Sequence, residues 1–332
     1  MSRIVTSIKF DMRAPAFGAP TLELYRAALE MAAFADEIGI HRINLMEHHG
    51  SEDGYLPTPF VMGGGVAGLT KRCRINLGAV LLPLHDPAKI AEQIAVLDLM
   101  SGGRLDIIFG AGYVASEFER FGVSMHDRGR LLDERIDIIL RALHGERFRA
   151  GGREVFVRPL PVQKPEDIIL VGGGVEASAK RAARFGLGFA PMRGGLFELY
   201  DAECRRRGRE PGSKYGASGL GDIHLSKNPE ATWARVMPHL KHAVGAYAKI
   251  ANESGANTPF KGLATDEAAL RRCGIFTIMT PEEFVERANA VVPLAGVQTS
   301  VTFMPLMGGL APELGWESLQ LLKGAMPRLR AA

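Results

Sequence analysis

The chain has 332 residues, 46% of them hydrophobic, which is enough to bury a large core. Lys plus Arg number 40 against 37 acidic residues, a net charge of +3, too balanced for a nucleic-acid-binding surface. No apolar run reaches the ~18 residues of a membrane span, and Met1–Lys9 lacks the charged-then-apolar layout of a secretion signal. Cys73, Cys204 and Cys273 are scattered without metal-type spacing. They read as small apolar residues in a reducing compartment, so a cytoplasmic protein is expected.

Strand-length apolar runs alternate with helix-patterned segments along the chain. Ile4–Phe10 reads as the first strand and Thr21–Ile38 as a helix capped by Thr21 and ended by Gly39. Arg42–Met46 is the second strand, and Thr58–Leu69 a helix that carries Gly63-Gly64-Gly65. Ile75–Leu82 is the third strand, Pro87–Met100 a helix with Pro in its first turn, and Leu105–Phe109 the fourth strand. Gly129–Leu143 is helical. Arg153–Val157 is a short strand in an excursion at about 150–165, before Pro159-Leu160-Pro161. Ile168–Val171, Leu187–Pro191, Ile223–Ser226 and Ser300–Met304 are the remaining strands. Their helices are Glu176–Phe185, Leu196–Arg207, Ala231–Ile250, Pro281–Val292 and Pro312–Leu322. The basic run Arg205-Arg206-Arg207 reads as a solvated helix end. Asn252–Gly274 is poor in apolar residues and rich in turn formers, the composition of a mobile lid. This order predicts one closed (β/α)8 TIM-type barrel domain over 1–332. An open doubly wound sheet is the alternative, but Asp11–Pro20 has no G-x-G-x-x-G.

Barrel enzymes place their chemistry at the C-terminal ends of the strands. Glu47-His48-His49 stands at such an end. Side chains alternate there, so His48 points opposite to Glu47 and His49. One histidine can then face the mouth as an acid–base group while its neighbours brace it; a hydrogen-bonded His pair capping the loop is the other reading. A metal held by Glu47, His48, His49 and His85 or His126 would need converging ligands, and adjacent strand residues diverge, so no metal is expected. Gly172-Gly173-Gly174, followed by Ser178 on the next helix, could hold a phosphate on free backbone N–H groups, or could simply make a tight turn. Gly110-Ala111-Gly112-Tyr113 is a second close-approach loop with the same two readings.

Together these pieces resemble the bacterial luciferase-like flavin monooxygenase family over nearly the whole chain. The resemblance is carried by Glu47-His48-His49, Pro83-Leu84-His85-Asp86-Pro87 and Leu97–Arg104. It extends to Gly110–Tyr113 with Glu117-Phe118 and Phe121-Gly122, and to Gly308–Glu313. It implies a TIM-type barrel with reduced FMN, or the deazaflavin F420, over the C-terminal mouth. It implies a non-prolyl cis peptide at Gly78-Ala79 beneath the isoalloxazine, and it makes His48 the catalytic residue. Glu47, His49, Gly78, Ala79, Gly110, Gly112, Tyr113, Gly172, Gly173, Gly174 and Ser178 become the cofactor-binding set. Ala111 stands where luciferase has a phosphate-holding Arg, which shifts the phosphate toward Gly172–Ser178. The implied activity is a monooxygenase that uses reduced FMN and O2 on a small organic substrate. A separate flavin reductase and a homodimer built on Pro59–Leu69 and Pro87–Met100 are implied with it. F420-dependent hydride transfer, with Arg128, Arg130 and Arg193 at the cofactor's anionic tail, is the alternative, and non-catalytic flavin binding is a further one.

Overall fold

The computed structural model describes residues 3–192, 194–255, 260–263 and 266–329. The chain runs β1 (Arg3–Phe10), α1 (Thr21–Glu37), β2 (Arg42–Leu45), α2 (Pro59–Leu69), β3 (Arg74–Leu81), α3 (Pro87–Ser101), β4 (Leu105–Gly110). There follow α4 (Ala115–Arg120), α5 (Arg128–Leu143), β5 (Phe148–Ala150), β6 (Arg153–Val155), α6 (Pro165–Ile168), β7 (Ile169–Gly173), α7 (Glu176–Phe185), β8 (Gly188–Pro191) and α8 (Leu196–Arg206). The last elements are β9 (Lys214–Leu225), α9 (Pro229–Ser254), α10 (Glu267–Arg272), β10 (Phe276–Met279), α11 (Pro281–Ala290), β11 (Val297–Phe303) and α12 (Pro312–Ala325).

The main sheet has the order β10-β9-β11-β1-β2-β3-β4-β7-β8, and β9 also pairs with β8, so the order closes on itself. With β10 set aside as an addition to β9, the ring is the expected (β/α)8 barrel. Contacts within the chain gather into two units: residues 1–57, 69–73 and 216–332, and residues 58–68 and 74–215.

In the first unit, β1 pairs in parallel with β2 and with β11. Two of its residues are polar and paired: Ser7 hydrogen-bonds Thr302 at 2.9 Å, and Lys9 pairs with Asp222. The core outside β9–β11 is built from the apolar stripe of α9 (Trp233, Val236, Leu240, Val244) against Phe276, Ile278 and Leu314. Asp36, at the end of α1, closes the entry to β3 by accepting from the backbone N–H groups of Lys71, Arg72 and Cys73 at 3.0, 2.8 and 2.6 Å.

In the second unit, α3 starts as its sequence dictates. Asp86 accepts from the N–H groups of Ala88 and Lys89, Pro87 occupies the first turn, and Gly102 ends the helix at φ 66°. The Leu97–Arg104 motif proves to be architectural. The Asp98 carboxylate accepts from the N–H groups of Val162 and Gln163 and from the Gln163 side chain, which ties the excursion to α3. The excursion itself is a hairpin, β5–β6, turned by Gly151 and Gly152 at φ 55° and 77°.

Several boundaries depart from the sequence reading. Pro20, not Thr21, precedes α1, and no side chain caps it. The strand expected at Ile223 begins at Lys214, because Gly216, Gly219 and Gly221 disguise an extended run as turns. Gly221 sits at φ 72°, where a Cβ would lie 2.2 Å from the carbonyl oxygen of Gly274, so only glycine lets β9 pass β10. Strand β10, helix α4 and the β5 half of the hairpin were not expected; three to six residues are too few to show a period. Asn252–Gly274 was expected to be structureless. Its start continues α9 through Ser254, and Glu267–Arg272 forms α10 on an Asp266 cap. Residues 256–259 and 264–265 lie outside the described residues. Among the described residues, no helix is long and apolar enough to cross a membrane.

Candidate active site

In the first unit, β1 and β2 leave the sheet side by side, with Phe10 in register with Leu45. Asp11-Met12-Arg13 and Met46–His49 therefore emerge at the same, C-terminal end. The Glu47 carboxylate is buried and lies 2.7 Å from Nε2 of His49. His48 turns the other way, as alternation demands. Its ring stands edge-on to Tyr55 at 4.8 Å and 89°, and to Tyr247 at 6.0 Å and 68°. The two phenol oxygens are 2.8 Å apart. The His48 N–H donates to the Leu56 carbonyl at 3.2 Å, and the Leu56 N–H donates to that of Asp11 at 3.0 Å.

Beneath the rings lies a buried ionic group that sequence reading missed. Arg13 is 2% exposed. Its guanidinium carbon lies 4.6 Å from the Tyr55 ring centre and 5.1 Å from that of Tyr247. Nη1 of Arg13 donates to Oδ2 of Asp53 at 2.5 Å, and the same oxygen meets Nε2 of His242 at 2.7 Å. Burial opposes ionisation of Asp53. The Arg13 charge and the hydrogen bonds from Ser51, His242 and Arg13 outweigh it and bring the pKa down to about 2. Burial raises the pKa of both Tyr55 and Tyr247, so each remains a phenol at neutral pH. Burial would lower the Lys9 ammonium, but Asp222 beside it raises it. Nothing in the sequence marked Arg13, Asp53, His242 or Tyr247, since they come from two loops and a helix far apart in the chain.

Asp11 is the exception in this cluster. Burial pushes its carboxyl from 3.8 up to about 6 despite Arg13 nearby, and its Oδ2 has no hydrogen-bond partner among the described residues. The native chain thus holds a proton that the unfolded chain releases between about pH 4 and 6, so stability from this group increases as pH falls through that window and is lost as pH rises through about 6. Asp11→Asn is expected to remove this slope. The check is the urea midpoint of wild type and variant across that range; an unchanged slope in the variant would assign it to another group.

In the second unit, the Gly78-Ala79 peptide in β3 is cis, and Ala79 is skipped in the register between Gly78↔Ile108 and Val80↔Phe109. The neighbouring strand ends are kept bare. A Cβ on Gly110 would lie 3.1 Å from that of Ala79. One on Gly78 would lie 3.0 Å from Ile108, and one on Gly172 would lie 2.8 Å from it. The surface at Gly78, Gly110 and Gly172 is therefore backbone, the kind against which a flat ring can lie. Gly112 is fixed by φ 74° and by Phe118, whose ring carbon would be 2.9 Å from its Cβ; half-buried Tyr113 follows. Gly173 and Gly174 lead into α7, whose first N–H groups have no side-chain cap. Ser178 is buried, and its hydroxyl donates to the Val175 carbonyl at 2.5 Å, so it serves the helix turn. Arg128 donates to the Met125 carbonyl, and Arg130 pairs with Asp127 and Glu134, so both are engaged on their own segment. Arg193 lies outside the described residues.

The model of the luciferase-like monooxygenases matches residues 6–297. The oxygenase component of a flavin-dependent trigonelline monooxygenase from Acinetobacter baylyi is 33% identical over 155 residues, which cover 45% of this chain and 43% of that protein. The chain spans about half the length of the curated relatives it matches, or less. The crystal structure of the monooxygenase RslO1 from Streptomyces bottropensis is 25% identical with a TM-score of 0.75, covering 97% of this chain and 98% of that one. At 16% identity the fold alone is shared with two further structures. One is the oxygenating constituent of 3,6-diketocamphane monooxygenase from Pseudomonas putida in complex with FMN, with a TM-score of 0.71 over 99% and 100% of the chains. The other is an F420-dependent secondary alcohol dehydrogenase, with a TM-score of 0.67 over 98% and 99%. A family match over most of the chain, on a barrel with this strand order, leads to one conclusion: the protein belongs to the luciferase-like monooxygenase family.

Proposed function

We propose that the chain is the oxygenase of a two-component flavin monooxygenase, acting with reduced FMN and O2 on a small organic substrate. The family match over residues 6–297 carries this reading. When bound, reduced FMN supplies the electrons that activate O2. The residues present fit such a group: the bare backbone at Gly78, Gly110 and Gly172, with only the methyl of Ala79 beside it, suits the flat ring, and a Cβ at any of these glycines would crowd its neighbours. Gly112 and Tyr113 border the ring. Gly173, Gly174 and the uncapped N-terminus of α7 take the phosphate. Glu47 and His49, bonded to each other, brace the loop that carries His48. His48 moves or holds the proton of the substrate, and the Tyr55 and Tyr247 rings shield its imidazole from water. FMN is favoured over F420 because Arg128 and Arg130, the candidates for a long anionic tail, are used locally.

A separate flavin reductase delivers the reduced cofactor, as the words "oxygenase component" on the Acinetobacter relative suggest. The barrel works as a homodimer through the exposed apolar face of α2 and α3. A cytoplasmic location belongs to the same proposal, supported by three cysteines scattered along the chain without metal-type spacing. The test is to purify the chain from its own host, record the chromophore spectrum, and then supply reduced FMN with panels of aldehydes, ketones and aromatics. Oxygenated product with FMN is the expected result. An F420 spectrum with oxygen-independent substrate reduction would replace the reading with hydride transfer. Tight flavin binding without turnover on any panel would favour a binding protein.

A further inference from the structure

We infer that Asp53 is a positioning residue for His48, the carboxylate on which the segments that hold that histidine are fastened together. The inference rests on the proposed role of His48. The loop that follows His48 carries Asp53 and Tyr55. Oδ2 of Asp53 accepts from Arg13 at 2.5 Å, on the segment after β1, and meets Nε2 of His242 at 2.7 Å, on α9. Oδ1 accepts from the Ser51 hydroxyl, and the Asp53 carbonyl accepts from the Ala14 N–H at 2.6 Å. One residue thus joins the β1 extension, the His48 loop and α9, and its side chain is 7% exposed.

Each fastened segment supplies part of the wall around His48. The His48 loop supplies Tyr55, edge-on to the imidazole at 4.8 Å. Helix α9 supplies Tyr247, one turn and a half beyond His242, whose hydroxyl meets that of Tyr55 at 2.8 Å. The β1 extension supplies Arg13, whose guanidinium sits under both rings. Neutralising Asp53 leaves Arg13 with a weaker partner in a buried place and loosens its grip on both rings. The imidazole edge then loses its fixed walls, although neither ring that packs against it has been substituted. Errors of about 1 Å in a reacting group can cost about a hundredfold in rate.

The experiment uses Asp53→Asn, which keeps the shape and removes the charge, with Asp53→Glu as the conservative rescue and His242→Gln as a milder break. The first readout needs no cofactor: the His48 ring resonances in protein carrying ¹³C-labelled histidine, assigned with His48→Gln. Tyr55 and Tyr247 shift these resonances by their ring currents, so a displaced wall moves them. The second is product turnover with reduced FMN. In Asp53→Asn the His48 resonances are expected to move and kcat to fall roughly 10- to 100-fold with KM little changed. Asp53→Glu should recover part of both, and His242→Gln should show the same changes more weakly. If Asp53→Asn does not fold, His242→Gln decides alone. Unmoved His48 resonances, or unchanged turnover beside an active wild type, would overturn the inference while leaving the proposed function standing. Resonances moved by Asp53→Asn, with a wild type that never turns over, would uphold the positioning and remove the oxygenase reading instead.

Discussion

His48→Ala is expected to lower product formation by roughly 10²–10⁴-fold, the usual loss when a positioned acid–base group is removed. Folding and cofactor binding should stay near wild type, because the imidazole is half-buried and packs against ring edges. His49→Ala should behave differently. It removes the 2.7 Å contact to the buried Glu47 carboxylate, so it should lower stability by about 1–3 kcal/mol or weaken cofactor binding. Product must be measured alongside oxygen uptake, since uptake can continue when substrate is no longer oxidised. Near-normal product turnover in His48→Ala would make the imidazole a structural group and withdraw the assignment.

Placing two carboxylates on the α2–α3 face is expected to turn a dimer into a monomer. Val61 on α2 is 73% exposed and Met100 on α3 is 55% exposed; Val96 and Leu99 extend the same apolar surface. The glycines of α2 let the helices approach: a Cβ on Gly63 would lie 3.1 Å from Leu97, and one on Gly64 would lie 3.7 Å from Met100. A face this apolar is rarely left to water. Val61→Glu with Met100→Glu would bury unpaired charge in the interface, a cost of several kcal/mol per group. Light scattering at micromolar concentration should give twice the chain mass for wild type and the single mass for the double variant. A monomeric wild type would remove the dimer from the proposal.

The strand ends and glycine-rich turns were legible because they obey local rules. The Glu47-His48-His49 triplet displays the alternation of a strand end in three letters, and the structure turns its side chains accordingly. The cap at Asp86, the Pro in the first turn of α3 and the left-handed glycine at its end are all decided within a few residues. Ser178 shows the limit of such reading. A serine at the start of a helix after a Gly-rich turn looks like a phosphate ligand, yet its hydroxyl is spent on the Val175 carbonyl. Leu97–Arg104 carries the family resemblance, and what its Asp98 does, tying the excursion to α3, became visible only in the structure.

By itself, then, the sequence determined the alternation of strands and helices, the barrel they close into, and the place of His48 at a strand end. These follow from hydrophobic period, caps and turn residues, which act over short stretches of chain. The tertiary structure alone decided that Lys9 meets Asp222, that Ser7 meets Thr302, and that Arg13, Asp53 and His242 converge beneath Tyr55 and Tyr247. Such pairs join residues up to 295 positions apart. The charged ones among them are paired because burial penalises an isolated ion, and burial exists only once the segments have packed.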